Sequence, residues 1–223
     1  LQSRNSTQSD YRQTATVHQL FEEQVDRTPD APAVLLGPQS LSYQQLEHRA
    51  NQIARYLIGQ GIGTGDVVGI MLPRCNLHLM STLLGVLKAG ATYLPLDPSY
   101  PADRIAYMLE DSGTKLVVAS SEYESILTAN SVHYLDKLDA ALDPLSSERL
   151  ALQGDAKSLL YVIYTSGSTG QPKGTGANHA AEVNLLAWYC RDFYMSPADR
   201  VLLVSAIGFD LTQKNLFAPL VSG

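Results

Sequence analysis

Short apolar runs alternate along this chain with longer stretches whose apolar residues recur at helical spacing, and that alternation constrains the fold most. The short runs are 33–36, 67–72, 116–119, 132–135, 159–164 and 201–204, each a strand candidate. Between them lie the helix candidates. Thr16 and Gln19 form a capping box ahead of Val17, Leu20, Phe21 and Val25. Ser42 and Gln45 form a second, ahead of the stripe Leu46, Ala50, Ile53, Ala54 and Leu57. Leu77, Met80, Leu83, Leu84 and Leu87 line a third helix that Gly90 ends, and Ile105, Met108 and Leu109 mark a fourth. Residues 179–194 and 210–221 read as two more, and Ile126-Leu127 as part of a short one. Strands alternating with helices predict an α/β fold, with layered helices on mostly parallel sheets.

Three stretches fall outside the pattern. Tyr93-Leu-Pro-Leu-Asp-Pro98 carries too much proline for a central strand, and Asp97 in it reads as a turn residue. Residues 136–158 are polar and read as a surface connection, and residues 1–15 as a polar linker or tail. In the last helix Phe217, Ala218, Leu220 and Val221 are apolar nearly all round, as in a buried helix. Nothing follows Gly223 to cover them, so the expectation is an unfinished core over 16–223.

The chain has 223 residues, 45% of them apolar and 17% charged, enough for a buried core. Its net charge of −6, with no basic cluster beyond two adjacent residues, argues against a nucleic-acid partner. No apolar run approaches the roughly 20 residues that span a bilayer, so no membrane partner is expected. Cys75 and Cys190 lie far apart and suggest neither a disulfide framework nor a metal site. The first residue is Leu1, without an apolar signal region, which reads as a piece excised from a longer protein.

The chemistry concentrates after residue 159. The apolar run Leu159–Tyr164 leads directly into Thr165-Ser166-Gly167-Ser168-Thr169-Gly170-Gln171-Pro172-Lys173-Gly174. Four hydroxyl residues offer donors besides their backbone N–H groups, glycines 167, 170 and 174 allow close backbone approach, and Lys173 adds a compact cation. Successive N–H groups in such a turn make an anion-binding concavity. The spacing is not that of the common nucleotide loop, which places Lys-Ser/Thr after its last glycine. A polyphosphate-holding loop of another kind is the reading, against a flexible Ser/Gly linker.

That loop resembles the signature loop of adenylate-forming enzymes. Other segments agree in order: Leu41-Ser-Tyr-Gln-Gln-Leu46 with Ala50-Asn51, then Leu87 to Pro98 with Tyr100-Pro101 and Arg104-Ile105, then Phe209-Asp210-Leu211-Thr212. The second and last are similar to the nonribosomal peptide synthetase branch. The resemblance implies that 16–223 is the N-terminal part of the large core of an adenylation domain. Such a domain activates an amino acid with ATP and Mg2+ as aminoacyl-AMP. It then loads the amino acid onto the phosphopantetheine thiol of a carrier domain, in cytoplasmic natural-product assembly. A carrier domain and an upstream condensation domain are the implied partners. The family's adenine, ribose and catalytic-lysine motifs do not occur here, so the chain by itself is expected to be inactive. An acyl-CoA ligase fragment and a non-catalytic scaffold module are the alternatives.

By position in the motifs, Thr165, Ser166, Gly167, Ser168, Thr169, Gly170 and Lys173 would hold the ATP phosphates. Asp210 would bind the substrate's α-ammonium group, although it is also a favoured N-cap. Leu211 and Lys214 would line the side-chain pocket, with Phe209 as a wall. A lysine in that pocket points to an acidic or amide substrate side chain, unless it pairs with Asp210 one turn away. Thr175-Gly176 replaces a bulky residue and is expected to loosen the loop exit. Trp188, Tyr189 and Tyr194 read as helix packing. No residue is assigned a catalytic or metal-ligating role.

Overall fold

The computed structural model describes residues 10–127, 131–151, 154–166 and 171–223. Two antiparallel strands, β1 (Pro32–Leu36) and β2 (Gln39–Ser42), stand apart from a sheet of six. The larger sheet holds β3 (Val67–Met71), β4 (Thr92–Pro95), β5 (Thr114–Ala119), β6 (Val132–Tyr134), β7 (Leu159–Thr165) and β8 (Lys173–Asn178). Their order is β6-β5-β3-β4-β7-β8, and every pairing is parallel except β7 with β8. The expected α/β layering with a mostly parallel sheet is therefore present.

The helices are α1 (Val17–Arg27), α2 (Tyr43–Gly59), α3 (Leu79–Lys88), α4 (Ala102–Asp111), α5 (Asp139–Leu142), α6 (His179–Asp192) and α7 (Asp210–Ser222). Both capping boxes form. The Gln19 N–H donates to Thr16 Oγ1 at 3.3 Å, and the Thr16 N–H returns to Gln19 Oε1 at 2.9 Å. Ser42 and Gln45 do the same at 3.2 and 2.9 Å. These local bonds satisfy N–H groups that the first turn leaves without partners.

Alternate residues of the central strands feed two cores, because successive side chains of a strand point to opposite faces. Val68, Ile70, Tyr93, Leu116 and Val118 join α1, α2, α3, α6 and α7 on one face. Met71, Leu94, Leu96, Val117 and Ala119 meet Ile105 and Met108 of α4 on the other. The sheet is covered on both sides, as parallel sheets are. On the larger face α3 presses onto α2 at Gly85, where a Cβ would stand 2.6 Å from Ile53 Cγ2.

Four expectations are corrected. The stretch after Tyr93 is part of a central strand: β4 lies between β3 and β7. Thr92 and Leu96 N–H groups reach Asp66 O and Ile70 O of the β3 side at 2.9 and 2.8 Å. Pro95, an odd residue on the same strand, turns its missing N–H towards β7, beyond the Tyr93–Tyr161 pair, so no bond to β3 is lost. Ile126 and Leu127 form no helix; a 3-10 turn covers Ser121–Tyr123 instead. Residues 201–204 form no strand, pairing with none among the described residues, and Leu202 and Val204 are 79% and 66% exposed. Helix α7 does not lack cover: Leu216, Phe217, Ala218 and Leu220 are buried, and Tyr43 OH donates to Pro219 O at 3.0 Å.

The polar connection before β7 straps across α2. Arg49 pairs with Asp139 and, at 3.0 Å, with Asp143, while Asn51 Nδ2 donates to Ser147 O at 2.8 Å. Buried Lys88 of α3 pairs with Glu22 and Glu47, and Arg149 bonds Glu47 and Asp26 at 2.6 and 2.7 Å. Residues 10–15 pack onto this side, with Ala15 buried and Arg12 paired with Glu23 at 2.6 Å. Among the described residues no helix is long and apolar enough to cross a membrane.

Candidate functional site

Strands β7 and β8 form a hairpin that carries Thr165 and Lys173 at its end. Leu160, Tyr161, Ile163 and Tyr164 are buried and anchor β7. Thr92 Oγ1 of β4 donates to Leu159 O at 3.1 Å, and Tyr164 OH donates to Asp111 Oδ2 at 2.6 Å. Burial and the Asp111 carboxylate hold that phenol well above the usual range. Thr165, the last residue of β7, pairs with Lys173, the first of β8. Both are exposed, as is Ser166. Two hydroxyls and one ammonium therefore leave the sheet together on a rigid base. Gly167, Ser168, Thr169 and Gly170 lie outside the described residues.

Two details differ from expectation. Gly174 sits inside β8 opposite Tyr164, and a Cβ there would stand 3.1 Å from Tyr164 Cζ. Its lack of a side chain makes room for that ring, a reason unrelated to an anion. Thr175 and Gly176 do not loosen the exit, because they continue the ladder opposite Ile163 and Val162.

The second group of residues sits at the start of α7. Asp210 opens the helix, but it is not the N-cap; Phe209 holds that position without a side-chain bond. The exposed Asp210 carboxylate accepts the Leu211 N–H at 2.7 Å. Lys214 does not pair with it. Its Nζ donates to Leu211 O at 2.9 Å and lies 5.5 Å from the centre of the Tyr189 ring. Phe209 and Leu211 are 58% and 70% exposed. Tyr189 packs with Trp188 and Phe193, whereas Tyr194, expected to pack, is 88% exposed.

Side chains that sequence reasoning passed over fix this turn. Thr212 Oγ1 donates to Ala206 O at 3.0 Å, and Gln213 Nε2 to Ile207 O at 2.7 Å. Gln213 Oε1 accepts from Tyr93 OH, which joins the start of α7 to the central sheet. Thr212 and Gln213 are wholly buried. Their signal was two adjacent polar residues on the side of α7 that carries Leu216, Phe217 and Leu220. Tyr161 links the two groups: burial, then Glu182 and Asp210, push its phenol up to about 12. From Tyr161 to Thr165 the strand runs roughly 13 Å.

An open cleft of about 870 Å³ lies elsewhere, between β1, residues 72–76 and residues 201–208. Its walls include neither Asp210, Lys214 nor the hairpin end. Chemistry and volume disagree here, and the donors and charges mark the site. Among the described residues no group of three or more His, Cys, Asp or Glu is placed to ligate a metal.

The family profile of the AMP-binding enzymes matches residues 21–223, and the chain belongs to that family. It is 43% identical over 222 residues to tyrocidine synthase 3 of Brevibacillus parabrevis, covering 98% of this chain and 3% of that protein. It is 40% identical over 226 residues to bacitracin synthase 1 of Bacillus licheniformis, covering 100% of this chain and 4% of that one. The nonribosomal peptide synthetase FmoA3 superposes with a TM-score of 0.90 at 31% identity, over 99% of this chain and 23% of that one. VinN shares the fold, with a TM-score of 0.86 at 22% identity, over 96% of this chain and 61% of that one. The chain thus spans a small part of the peptide synthetases it is similar to.

Proposed function

We propose that this chain is the N-terminal part of an adenylation domain in a nonribosomal peptide synthetase, with 1–15 as a linker and 16–223 as part of the large core. In the reaction we infer, an oxygen of the amino acid's carboxylate attacks the α-phosphorus of ATP. The bond from that phosphorus to the bridging oxygen breaks, and pyrophosphate leaves. A carrier-domain phosphopantetheine thiol then attacks the acyl carbon and AMP leaves. Thr165, Ser166, the loop 167–170 and Lys173 hold the phosphates and neutralise charge on the departing pyrophosphate, the kind of positioning and electrostatic help such a step needs. Asp210 binds the α-ammonium group, and Lys214, beside Leu211 and Phe209, contacts an acidic or amide side chain. A cytoplasmic setting and a condensation domain upstream complete the reading.

One observation carries it: exposed Thr165, Ser166 and Lys173 leave together from the end of a strand anchored by buried Leu160, Tyr161, Ile163 and Tyr164. The test is amino-acid-dependent ATP–pyrophosphate exchange by the synthetase containing this chain. Lys173→Ala is expected to slow exchange by about a hundredfold, and Asp210→Asn by about ten- to a hundredfold, chiefly in KM for the amino acid. Unchanged exchange in both variants, or CoA-dependent turnover of a fatty acid, would sink the proposal.

A further inference from the structure

A carboxyl group that this chemistry does not use is buried where α6 meets α7. Glu182 is 2% exposed, and its Oε1 has no hydrogen-bond partner among the described residues. An ionised carboxylate in that position is costly, so such a group takes up a proton or finds a cation. Both routes are open to Glu182. Burial pushes its carboxyl up to about 7, against the opposing pull of the Lys214 ammonium.

Glu182 and Lys214 lie on the two helices that pack against each other here, α6 and α7. Glu182, Leu186 and Tyr189 recur at helical spacing and share one face of α6. That face meets α7, because the Tyr189 ring lies under Lys214 and Cys190 Sγ lies 3.9 Å from Ala218 O. An ammonium has three donors, and Lys214 gives one to Leu211 O. The other ionisable groups around Glu182 are Tyr93 of β4, Tyr161 of β7, on which Asp210 of α7 also acts, and His179 at the start of its own helix. Burial holds His179 down to about 4, and burial with the two carboxylates holds Tyr161 up to about 12. Both titrate far from neutrality, whereas Glu182 titrates at it.

We propose that Glu182 is a positioning residue that sets the charge of the amino-acid subsite. Protonated, it leaves Lys214 an uncompensated cation that selects an acidic side chain. Ionised, it compensates Lys214, and the subsite turns towards an amide side chain. The proton is exchanged with water. The inference rests on the reading of Lys214 as the side-chain contact, so two measurements keep the two apart.

The first is a carbon-13 titration of the glutamate carboxyls in this chain, with the Glu182 signal assigned by its loss in Glu182→Gln. The expected midpoint lies near 7 and rises in Lys214→Met, which removes the compensating charge. A midpoint in the ordinary carboxylate range, or one that Lys214→Met leaves in place, overturns the inference. The second is ATP–pyrophosphate exchange by the containing synthetase, with aspartate, glutamate and their amides at pH 6 and pH 8. A group titrating at 7 goes from about nine-tenths to about one-tenth protonated over that range, so the acid-to-amide ratio of kcat/KM should fall about tenfold. Glu182→Gln, neutral and nearly isosteric, should keep the pH 6 ratio at both. A flat ratio in the unmodified enzyme, or the same fall in Glu182→Gln, overturns the proposal. Exchange with apolar amino acids alone, beside an intact coupling in the first measurement, overturns the subsite role through the failure of the Lys214 reading and leaves the buried pair standing.

Discussion

Two regions on the same face of the sheet, α2–α3 and α6–α7, use the same residue types in opposite ways. Against α2 and α3, leucines at 46, 83, 84 and 87 are fully buried, and the buried ammonium of Lys88 meets two carboxylates. In the α6–α7 region Leu202 and Leu211 stand 79% and 70% exposed, Lys214 is half-buried with no carboxylate bonded to it, and Glu182 is buried without a partner for Oε1. The first arrangement uses charge and apolar area to hold the chain together. The second leaves charge and apolar area unsatisfied among the described residues around the start of α7. Departures from ordinary packing rules tend to gather at functional sites.

Making one change in both regions puts this contrast at risk. Lys88→Ala strands Glu22 beside a buried cavity and should cost about 3–5 kcal/mol, whereas Lys214→Ala should stay within about 0.5 kcal/mol; urea unfolding reads both, and equal losses would refute the contrast. Leu46→Ala removes a wholly buried side chain and should cost about 2–5 kcal/mol, while Leu211→Ala should stay within about 0.5 kcal/mol. Gly85→Ala places a methyl 2.6 Å from Ile53 Cγ2, and overpacking of that kind costs about 1–3 kcal/mol. A stability equal to that of the unmodified chain would mean that α2 and α3 can separate at no cost.

Smaller effects come with pH, where buried histidines and the buried carboxyl carry opposite signs. His18 and His179 meet edge to face between α1 and α6, and burial holds them down to about 3 and about 4. Their folded values lie below the unfolded one, so their contribution is present above about 6.5 and is lost as pH falls towards 4 and 3. Glu182 runs the other way. Its folded value of about 7 lies above the unfolded 4.5, so its contribution is present below 4.5 and is lost as pH rises to about 7. Stability in His179→Asn should fall less on acidification than in the unmodified chain. Stability in Glu182→Gln should fall less between pH 4.5 and 7 on the way up. A Glu182→Gln curve parallel to that of the unmodified chain would contradict the buried carboxyl.

Much of the fold was legible from residues a few positions apart. Thr16 with Gln19 and Ser42 with Gln45 start their helices as their sequence spacing requires. The apolar run before Thr165 becomes a strand that delivers the loop, and Asp97 makes its turn by accepting the Ser99 N–H at 2.9 Å. Less of the site was legible. Motif position singled out Asp210 and Lys214, but the partners that set their surroundings are Gln213, Tyr93 and Glu182. Gln213 meets Tyr93 across 120 positions, and His179 accepts the Val17 N–H across 162.

Residue order alone dictated where helices begin, which runs are apolar and which loop carries hydroxyls and a cation. Caps and stripes of that kind need only neighbours within a turn or a strand. Tertiary structure decided that Pro95 sits in a central strand, that residues 201–204 pair with no strand among the described residues, that α7 is covered, and that Glu182 is buried where α6 meets α7. Each of these depends on which distant segment supplies the facing hydrogen bond, the covering side chain or the opposing charge. Local spacing carries no information about that choice.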